Sequence, residues 1–297
     1  MGWRSKLAIV AVACALVAPA AAAPANARGK DAAKTKEKPY VGAIAVESPG
    51  GRVLFADSPD AACFPASCTK LMTARLLLKA VASGKRKLDD RIVQTDLSCR
   101  EEPSKLDLAP GESVSVGDAL AAIMVKSAND VALAIAQNLA GGREAFAAEM
   151  NAEAAKLGMT NTVFVSPNGL PPAKNDTGRG YDRSTPRELA RLALAMIDEQ
   201  PEILGYTKMK SVRIPCRGGK VLEFNNHNHL LSKGGPGSAE IDGLKTGFFR
   251  KAGFTIVLTG TKNGKRVIAV VAGSPSSRRR DTEAAKILKD ALEAIDW

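Results

Sequence analysis

Aromatic residues are scarce in this chain of 297 residues, since Phe, Trp and Tyr together make up 4 % of it. Histidine is scarcer still, with two residues, and no pair of the five cysteines has zinc-ligand spacing with histidines beside it. After residue 23 no run of about 18 apolar residues occurs. These absences argue against a base-stacking nucleic-acid module, a zinc finger and an integral membrane protein.

The first 27 residues have the pattern of a secretory signal peptide. Arg4 and Lys6 form a short basic region, and Leu7–Val17 is an apolar run of 11 residues, too short to cross a bilayer. Small residues follow, with Ala-x-Ala sites that end at Ala23 and Ala27. We therefore expect cleavage near residue 23 or 27 and an exported protein, periplasmic or in the cell envelope, that is soluble once the signal peptide is removed.

Residues 28–39 are polar and lack periodicity, which predicts a flexible leader before a folded domain of residues 40–297. Export implies an oxidising compartment, so the remaining cysteines could form up to two disulfides. The sequence does not choose among the three possible pairings of these cysteines, which are Cys63, Cys68, Cys99 and Cys216.

Positive charge is in excess, with a formal net charge of +11 that remains +9 after loss of Arg4 and Lys6. The dense basic clusters, Lys85–Lys87 and Arg278–Arg280, are not interleaved with aromatic residues, so nucleic acid is not the expected partner. A peripheral contact with an anionic cell wall or membrane surface fits an exported protein better. A solvated basic face is an equally good interpretation.

The periodicity of apolar residues predicts strands at both ends of the domain and helices between them. The predicted strands are Val41–Glu47, Arg52–Ala56, Ser211–Ile214, Lys220–Phe224, Ala252–Thr261 and Arg266–Ala272. The predicted helices are Ser67–Ala82, Ala119–Val125, Asp130–Leu139, Arg143–Leu157, Pro186–Glu199 and Thr282–Ile295. This order indicates an α+β domain with an antiparallel sheet completed by both ends of the chain and a helical insert.

One short motif, Ser67-Cys68-Thr69-Lys70, stands at the start of a predicted helix. Residues three apart share a helix face, so the Ser67 hydroxyl and the Lys70 amine can be neighbours. A serine is a poor nucleophile until a base takes its proton, and a lysine whose pKa is lowered by burial or by a second cation can be that base.

Two further motifs carry groups that suit a peptide substrate. Ser127 could pass a proton to a leaving amine, and the carboxamide of Asn129 could hold a peptide group. Lys245 and Thr246 offer a cation and a hydroxyl for a carboxylate, and Gly247 would let a substrate backbone lie against a strand edge.

Each motif alone is weak, and helix caps or a surface lysine would explain them separately. Their value lies in their occurrence in this order, each on a fitting element, behind an export signal. A second Ser-x-Asn, Ser166–Asn168, falls in a turn-rich loop and carries no assignment. His227 and His229 look like metal ligands but lack a third, so a polar surface pair is the better interpretation.

The set Ser-x-x-Lys, Ser-x-Asn and Lys-Thr-Gly resembles that of the penicillin-recognising serine acyl-transferases, the penicillin-binding proteins and β-lactamases. The surrounding residues resemble low-molecular-mass D-alanyl-D-alanine carboxypeptidases over roughly residues 40–297. The matching stretches are Pro65–Thr73 (PASCTKLMT), Leu108–Glu112 (LAPGE), Ser127–Asp130 (SAND), Leu157–Thr162 (LGMTNT), Pro167–Pro171 (PNGLP) and Asp242–Gly247 (DGLKTG).

The resemblance implies a fold and a reaction. The fold would be β-lactamase/transpeptidase-like, a five-stranded antiparallel sheet flanked by helices, with a helical subdomain. Ser67 would attack the D-Ala-D-Ala carbonyl of peptidoglycan stem peptides, with Lys70 as base and Ser127 as proton relay. β-Lactam antibiotics would be covalent inhibitors, and no metal or organic cofactor would be needed.

The same resemblance implies how the substrate is held. Asn129 would bind the substrate amide, and Lys245 and Thr246 its terminal carboxylate, beside Gly247. The backbone N–H groups of Ser67 and Phe248 would form the oxyanion hole.

Three departures from the family pattern are visible. Relatives often have arginine in an Asn-Arg-Asn stretch where Asn226-His227-Asn228 stands here. His227 could replace that arginine as a second carboxylate contact at mildly acidic pH. The β-rich second domain and the amphipathic anchor of many relatives are not expected. Cys68 directly follows the proposed nucleophile, and its reactivity is left open.

Three alternatives accompany the carboxypeptidase interpretation. A class A β-lactamase would carry Glu-x-x-Leu-Asn after the second motif, and this sequence has no such string. An endopeptidase acting on peptide cross-links would use the same residues in a wider groove. A cell-wall-binding protein without catalysis would not need Ser67, Lys70, Ser127 and Lys245 together.

Overall fold

The computed structural model describes residues 38–173, 176, 178–216, 220–233 and 239–295. The predicted signal peptide of residues 1–27 and residues 28–37 of the predicted leader lie outside these ranges. None of the described helices combines the length and the apolar composition that a bilayer-spanning helix needs.

The described chain begins with strands, continues through helices and returns to strands before a last helix. The strands are β1 (Gly42–Ser48), β2 (Val53–Asp57), β3 (Arg91–Val93), β4 (Ser113–Ser115), β5 (Ser211–Pro215), β6 (Val221–Asn225), β7 (Glu240–Phe249), β8 (Gly253–Lys262) and β9 (Lys265–Ser274). The helices are α1 (Lys70–Ala82), α2 (Asp96–Cys99), α3 (Val116–Ala121), α4 (Asn129–Ala140), α5 (Arg143–Lys156), α6 (Pro186–Glu199), α7 (Ile203–Thr207), α8 (Leu230–Lys233) and α9 (Ser277–Ile295). A 3₁₀ turn (Ala66–Thr69) precedes α1, and a π-helical turn (Ala122–Lys126) follows α3.

Five strands form the main sheet in the order β2-β1-β9-β8-β7, with antiparallel neighbours throughout. β1 pairs with β9 from Gly42 opposite Ala272 to Ser48 opposite Arg266, so the two ends of the domain close one sheet. Asn263 and Gly264 make the tight turn between β8 and β9 with positive φ angles of 52° and 76°. The predicted α+β class and five-stranded antiparallel sheet are confirmed.

The sheet is buried on both faces, which explains the almost continuous apolar sequence of β9. Ile268 and Val270 point into a core shared with α1, α4 and α6. Val267 and Val271, on the opposite face of β9, pack in a second core with α9. Because successive strand residues point to opposite faces, one strand supplies both cores.

The helical part is built around α4, whose first eight residues, from Asn129 to Ala136, are all buried. A helix that is apolar on all sides belongs in an interior. α6 begins as predicted, because the Thr185 side chain accepts a hydrogen bond from the Glu188 N–H and Pro186 occupies the first turn.

Three predicted helices differ from the structure by more than one residue at a boundary. The predicted helix Ser67–Ala82 is a 3₁₀ turn followed by α1, and the predicted helix Ala119–Val125 is divided between α3 and the π-helical turn. The periodicity of apolar residues does not predict these changes of helix type, because they depend on packing in the folded protein. α9 starts at Ser277 rather than Thr282, since the Ser276 hydroxyl accepts a hydrogen bond from the N–H of Arg279 and caps the extra turn.

All four cysteines left open for disulfide pairing, Cys63, Cys68, Cys99 and Cys216, are free thiols.

A buried ion pair joins α1 to α5. Arg75, which is 2 % exposed, donates from Nε to Oε1 of Glu153 at 2.9 Å, and Lys79 also contacts both carboxylate oxygens. Burial raises the pKa of Glu153, but hydrogen bonds from Lys79 and Arg75 outweigh it and lower that pKa. The stabilisation is therefore present at neutral pH and is lost as the pH falls through the lowered pKa.

We expect Glu153→Ala to lower the free energy of unfolding by about 3 kcal/mol, because it leaves the Arg75 guanidinium buried without this partner. Urea unfolding followed by circular dichroism measures the change. The matched control is Glu223→Ala, which removes the exposed contact with Arg213 at 3.9 Å and should cost less than about 1 kcal/mol. Equal losses in the two variants would contradict the assignment.

Candidate active site

Ser67 lies in the 3₁₀ turn that precedes α1, held between a loop and the sheet. Ala66 has a left-handed φ of 50°, which is unusual for a residue with a side chain. A Cβ on Gly169 would lie 1.9 Å from the Ala66 carbonyl oxygen, and one on Gly247 would lie 2.6 Å from the Pro65 carbonyl oxygen. Two glycines thus allow the backbone of this turn to be enclosed from both sides.

Lys70 is completely buried and its Nζ contacts three oxygen atoms. The distances are 3.1 Å to Ser67 Oγ, 2.7 Å to Asn129 Oδ1 and 2.7 Å to the carbonyl oxygen of Asn168. Since a 3₁₀ turn superimposes residues three apart, the Ser-x-x-Lys spacing brings the hydroxyl and the amine together.

The hydrogen-bond requirements of these partners direct the Ser67 proton. The Asn168 carbonyl can only accept, and Asn129 must also present its oxygen to Lys70, because its Nδ2 donates to the Glu102 carbonyl at 2.8 Å. A neutral Lys70 amine has two protons, which these two acceptors take. Its lone pair then faces the Ser67 hydroxyl, which is the arrangement a base needs.

The electrostatic environment favours that neutral amine. Burial lowers the pKa of Lys70 well below its usual value, and the neighbouring charge of Lys245 lowers it further. Burial also lowers the pKa of Lys245, to about 8, so Lys245 keeps its charge at neutral pH. Two buried lysines with different environments can therefore hold different protonation states at the same pH.

Ser127 and Asn129 face the same cleft from the start of α4. Ser127 has a left-handed φ of 61° where the π-helical turn ends, and both residues are buried. The backbone N–H of Asn129 donates to the Ser104 carbonyl at 2.7 Å, and its Nδ2 donates to the Glu102 carbonyl. These bonds fix the segment that forms this side of the cleft.

β7 forms the opposite side. Lys245 is buried, and its Nζ donates to the Thr246 carbonyl at 3.0 Å. Gly247 lies directly against the backbone of the Ser67 turn. Phe248 is 53 % exposed and stacks on Phe254 with ring centroids 4.1 Å apart.

The cleft between these elements has a volume of about 270 Å³. Its lining brings together all the predicted site residues except the two lysines, which are buried behind it, and adds Arg280 from α9. The lining includes Ser67, Ser127, Asn129, His227, Thr246, Gly247, Phe248 and Arg280. In the described ranges, no group of three or more His, Cys, Asp or Glu side chains could hold a metal ion.

The surroundings of His227 disfavour the positive charge that would let it bind a carboxylate at mildly acidic pH. Its reduced access to water in the cleft, followed by the charges of Lys245 and Lys126, lowers its pKa to about 4. The side chain is nevertheless exposed, so water screens part of this effect. Both neighbouring charges are cations, so they favour the neutral imidazole.

Comparison with known protein families shows which family contains this chain. Residues 31–276 match the family model described as D-alanyl-D-alanine carboxypeptidase. The chain belongs to the D-alanyl-D-alanine carboxypeptidase family. It is 34 % identical over 266 residues to the D-alanyl-D-alanine carboxypeptidase DacC of Escherichia coli K12, covering 86 % of this chain and 63 % of DacC.

Other members of the carboxypeptidase family agree in sequence and fold. The enzyme of Streptomyces sp. K15 is 30 % identical, with 84 % of this chain and 85 % of that protein covered. The crystal structure of DacD from Francisella tularensis aligns with a TM-score of 0.77 at 26 % identity, over 86 % of this chain and 71 % of that one. Penicillin-binding protein D2 from Listeria monocytogenes, in its ampicillin-bound form, aligns with a TM-score of 0.74 at 30 % identity, over 85 % and 97 %.

Relative to several curated carboxypeptidases the chain is short. It spans 63 % of the length of DacC and 59 % of the length of DacD from Salmonella typhimurium.

Three groups in or behind this cleft were not assigned from the sequence. Asn168, part of the second Ser-x-Asn, acts through its backbone carbonyl, which no residue-type pattern reports. Arg280 belongs to the basic cluster interpreted as a surface, yet it is 4 % exposed and bonds Asp281 at 2.6 Å. The helical register of α9 was the signal that could have separated Arg280 from Arg278 and Arg279.

Asp182 is the third, a buried carboxylate that links the Ser67 turn to the loop behind it. It accepts from the Thr69 hydroxyl at 2.7 Å, the Ser166 hydroxyl at 3.0 Å and the N–H of Val165 at 2.7 Å. Ser166 Oγ in turn accepts from the N–H of Gly169 at 2.9 Å. One side chain therefore sets the distance between Ser67 and the carbonyl that orients Lys70.

Cys68, whose reactivity the sequence left open, lies in the interior behind the cleft. Burial raises the pKa of its thiol to about 11, and its Sγ contacts the Lys245 carbonyl at 3.5 Å. Since the thiolate is the reactive form, burial disfavours reaction of this thiol at neutral pH.

Gly169→Ala should reduce the rate of acylation by penicillin about a hundredfold, because the new methyl group must displace the Ala66 carbonyl and move Ser67 from Lys70. Stopped-flow labelling with a fluorescent penicillin measures this rate. Gly205→Ala is the matched control, since a Cβ there meets nothing within 4 Å. A folded Gly169→Ala protein that acylates at the wild-type rate would contradict this role.

Proposed function

We propose that the chain is a serine-type D-Ala-D-Ala carboxypeptidase that releases the terminal D-alanine of peptidoglycan stem peptides through an acyl-enzyme on Ser67. The observation that carries the proposal is the buried Lys70 amine, 3.1 Å from Ser67 Oγ, with its other two contacts made to obligate acceptors. Family membership supports the choice of substrate.

Acylation begins when neutral Lys70 takes the proton of the Ser67 hydroxyl. Ser67 Oγ attacks the carbonyl carbon of the penultimate D-alanine, and the N–H groups of Ser67 and Phe248 stabilise the oxyanion. As the tetrahedral intermediate collapses, the C–N bond breaks, Ser127 passes its proton to the departing amine and takes one from Lys70, which becomes neutral again. Water then attacks the ester, neutral Lys70 accepts the proton of the water, and that proton passes to Ser67 Oγ as the ester bond breaks.

Cations at one end of the cleft bind the carboxylate of the departing D-alanine. Thr246 offers a hydroxyl there, and Lys245 is charged behind it. Arg280 lies in the same wall and supplies a guanidinium, which has five donors and suits a carboxylate. We therefore assign to Arg280 the second carboxylate contact first suggested for His227.

Penicillins present a strained amide and a carboxylate in the same relation as the terminal dipeptide. Penicillin-binding protein D2 of Listeria monocytogenes has been solved in ampicillin-bound and cefotaxime-bound forms. The chain should accordingly form a covalent adduct with β-lactams.

Export is part of the proposal. Residues 1–27 have the basic, apolar and small-residue order of a signal peptide, and the proposed substrate is outside the cytoplasm. The net positive charge, which is +9 after loss of Arg4 and Lys6, suits peripheral contact with an anionic envelope.

Ser67→Ala should abolish covalent labelling by fluorescent penicillin and lower D-alanine release at least about a thousandfold. Gel fluorescence and mass mapping of the adduct measure the first effect, and an enzyme-coupled D-alanine assay the second. Cys68→Ala, at the next position, should retain the label. Labelling of Ser67→Ala, or an adduct mapped elsewhere, would refute the role of Ser67.

The acylation rate should depend on pH through the two lysines. It should rise with pH as Lys70 loses its proton and fall above about pH 8 as Lys245 loses its own. The second-order rate constant for penicillin acylation between pH 5 and pH 10 measures both limbs. In Lys245→Arg the alkaline limb should disappear, because a guanidinium stays charged, while the acid limb remains. A flat wild-type profile would contradict the assignment.

A further inference from the structure

Residues 101–104, the segment that follows α2, support both oxygen atoms to which a neutral Lys70 donates. One of these atoms, Asn129 Oδ1, is oriented through the backbone of the segment, because the Glu102 carbonyl accepts from Asn129 Nδ2 at 2.8 Å. The other oxygen, the carbonyl of Asn168, is held by a side chain of the same segment. That second support can therefore be altered by substitution.

Glu101 is the side chain that holds Asn168. Its Oε2 accepts from Nδ2 of Asn168 at 3.0 Å, and Asn168 Oδ1 accepts from the N–H of Leu170 at 3.0 Å. Asn168 is 1 % exposed, so both ends of its carboxamide are bonded in a buried position. The residue whose carbonyl takes a proton of Lys70 is thus fixed through its own side chain.

The second carboxylate oxygen of Glu101 accepts from Nη2 of Arg143, which reaches it from α5. The two side chains are 10 % and 17 % exposed, so water screens this pair only in part. An amide at position 101 would present an oxygen to only one of the two donors, whereas a carboxylate serves both. The pair lines a surface groove whose other charged residues are Arg100, Glu102, Asp176 and Arg179.

The charge of Glu101 also acts on the amine of Lys70. Burial has the largest effect on the pKa of Lys70 and lowers it, and the charge of Lys245 lowers it further. The charge of Glu101 is the largest of the influences that raise the same pKa. The other titratable groups that act on Lys70 or are acted on by it are Cys68, Asp182 and His227. One carboxylate therefore opposes one ammonium in setting the protonation of the base.

We propose that Glu101 is a positioning residue for the amine of Lys70. Its carboxylate fixes Asn168, whose carbonyl then holds one proton of the amine. Its negative charge, balanced by Arg143, determines how far the pH must rise before that amine can act as a base. The inference rests on the proposed function, and it adds to the site a carboxylate that none of the three motifs contains.

The second-order rate constant for acylation by penicillin between pH 5 and pH 10 tests the effect of charge. Glu101→Gln should move the acid limb to lower pH by about 0.5–1 unit, because the protonated form of Lys70 loses a stabilising anion. Arg143→Gln should move the acid limb to higher pH by a similar amount, because Glu101 loses the cation that balances it. A loosened site alone would lower the rate in both variants without opposite shifts.

The plateau of the same pH profile tests the hydrogen bond to Asn168. Glu101→Ala removes the acceptor and should lower the plateau about tenfold, because the amine is then less well oriented toward Ser67. In the double variant Glu101→Gln/Arg143→Gln the amide oxygen is free to face Asn168, so most of the plateau should return. The acid limb of the double variant should lie between those of the two single variants.

Two further variants serve as controls. Glu149→Gln, at an exposed carboxylate of α5, also removes one negative charge and should move neither the acid limb nor the plateau. Arg143→Lys keeps the positive charge beside Glu101 and should leave the acid limb close to that of the wild type. Circular dichroism shows whether each variant is folded before its rates are compared.

Acid limbs that move in the same direction in Glu101→Gln and Arg143→Gln, or that move in neither, would overturn the proposal. A wild-type plateau in folded Glu101→Ala would overturn it as well. In each of these cases penicillin would still label Ser67 of the wild type, and D-alanine would still be released. Absence of both labelling and release in the wild type would instead refute the proposed function and this inference with it.

Discussion

The whole site depends on one buried amine that is surrounded by oxygen atoms from three parts of the chain. Lys70 meets the hydroxyl of Ser67 from its own turn, the amide oxygen of Asn129 from α4 and the carbonyl of Asn168 from a loop. A buried ammonium without such partners would be too costly to keep, and a buried neutral amine needs only two of them as acceptors. The fold supplies both conditions, and the third contact becomes the reactive one.

Positioning these partners requires backbone conformations that a polypeptide seldom adopts. Ala66 and Ser127, with φ angles of 50° and 61°, lie in the left-handed region on opposite sides of the cleft. Each such residue costs of order 1–3 kcal/mol. The buried cores on both faces of the sheet and the hydrogen bonds of Asp182 offset that cost. The strained residues therefore lie in the site, and the residues that stabilise them lie around it.

Much of this arrangement could be predicted from the sequence. Strand periodicity and the Asn263-Gly264 turn predicted β1, β2, β8 and β9 of the main sheet, because those signals are local, whereas β7 was not among the strands predicted from periodicity. Ser67, Lys70, Ser127, Asn129 and Lys245 were selected by motif order and lie together. The rest could not be predicted for physical reasons: the Asn168 carbonyl carries no side-chain signature, the environment of His227 depends on distant cations, and the 3₁₀ and π-helical turns depend on packing.

The pairing of β1 with β9 has a consequence for how the protein comes to be folded. Roughly two hundred residues separate these neighbouring strands, so the central part of the sheet cannot assemble until β9 has been synthesised. Until then β1 lacks the strand that covers its edge. The proposed export would benefit from this delay, because the polypeptide would stay unfolded enough to pass through a narrow translocation pore until β9 is available on the far side.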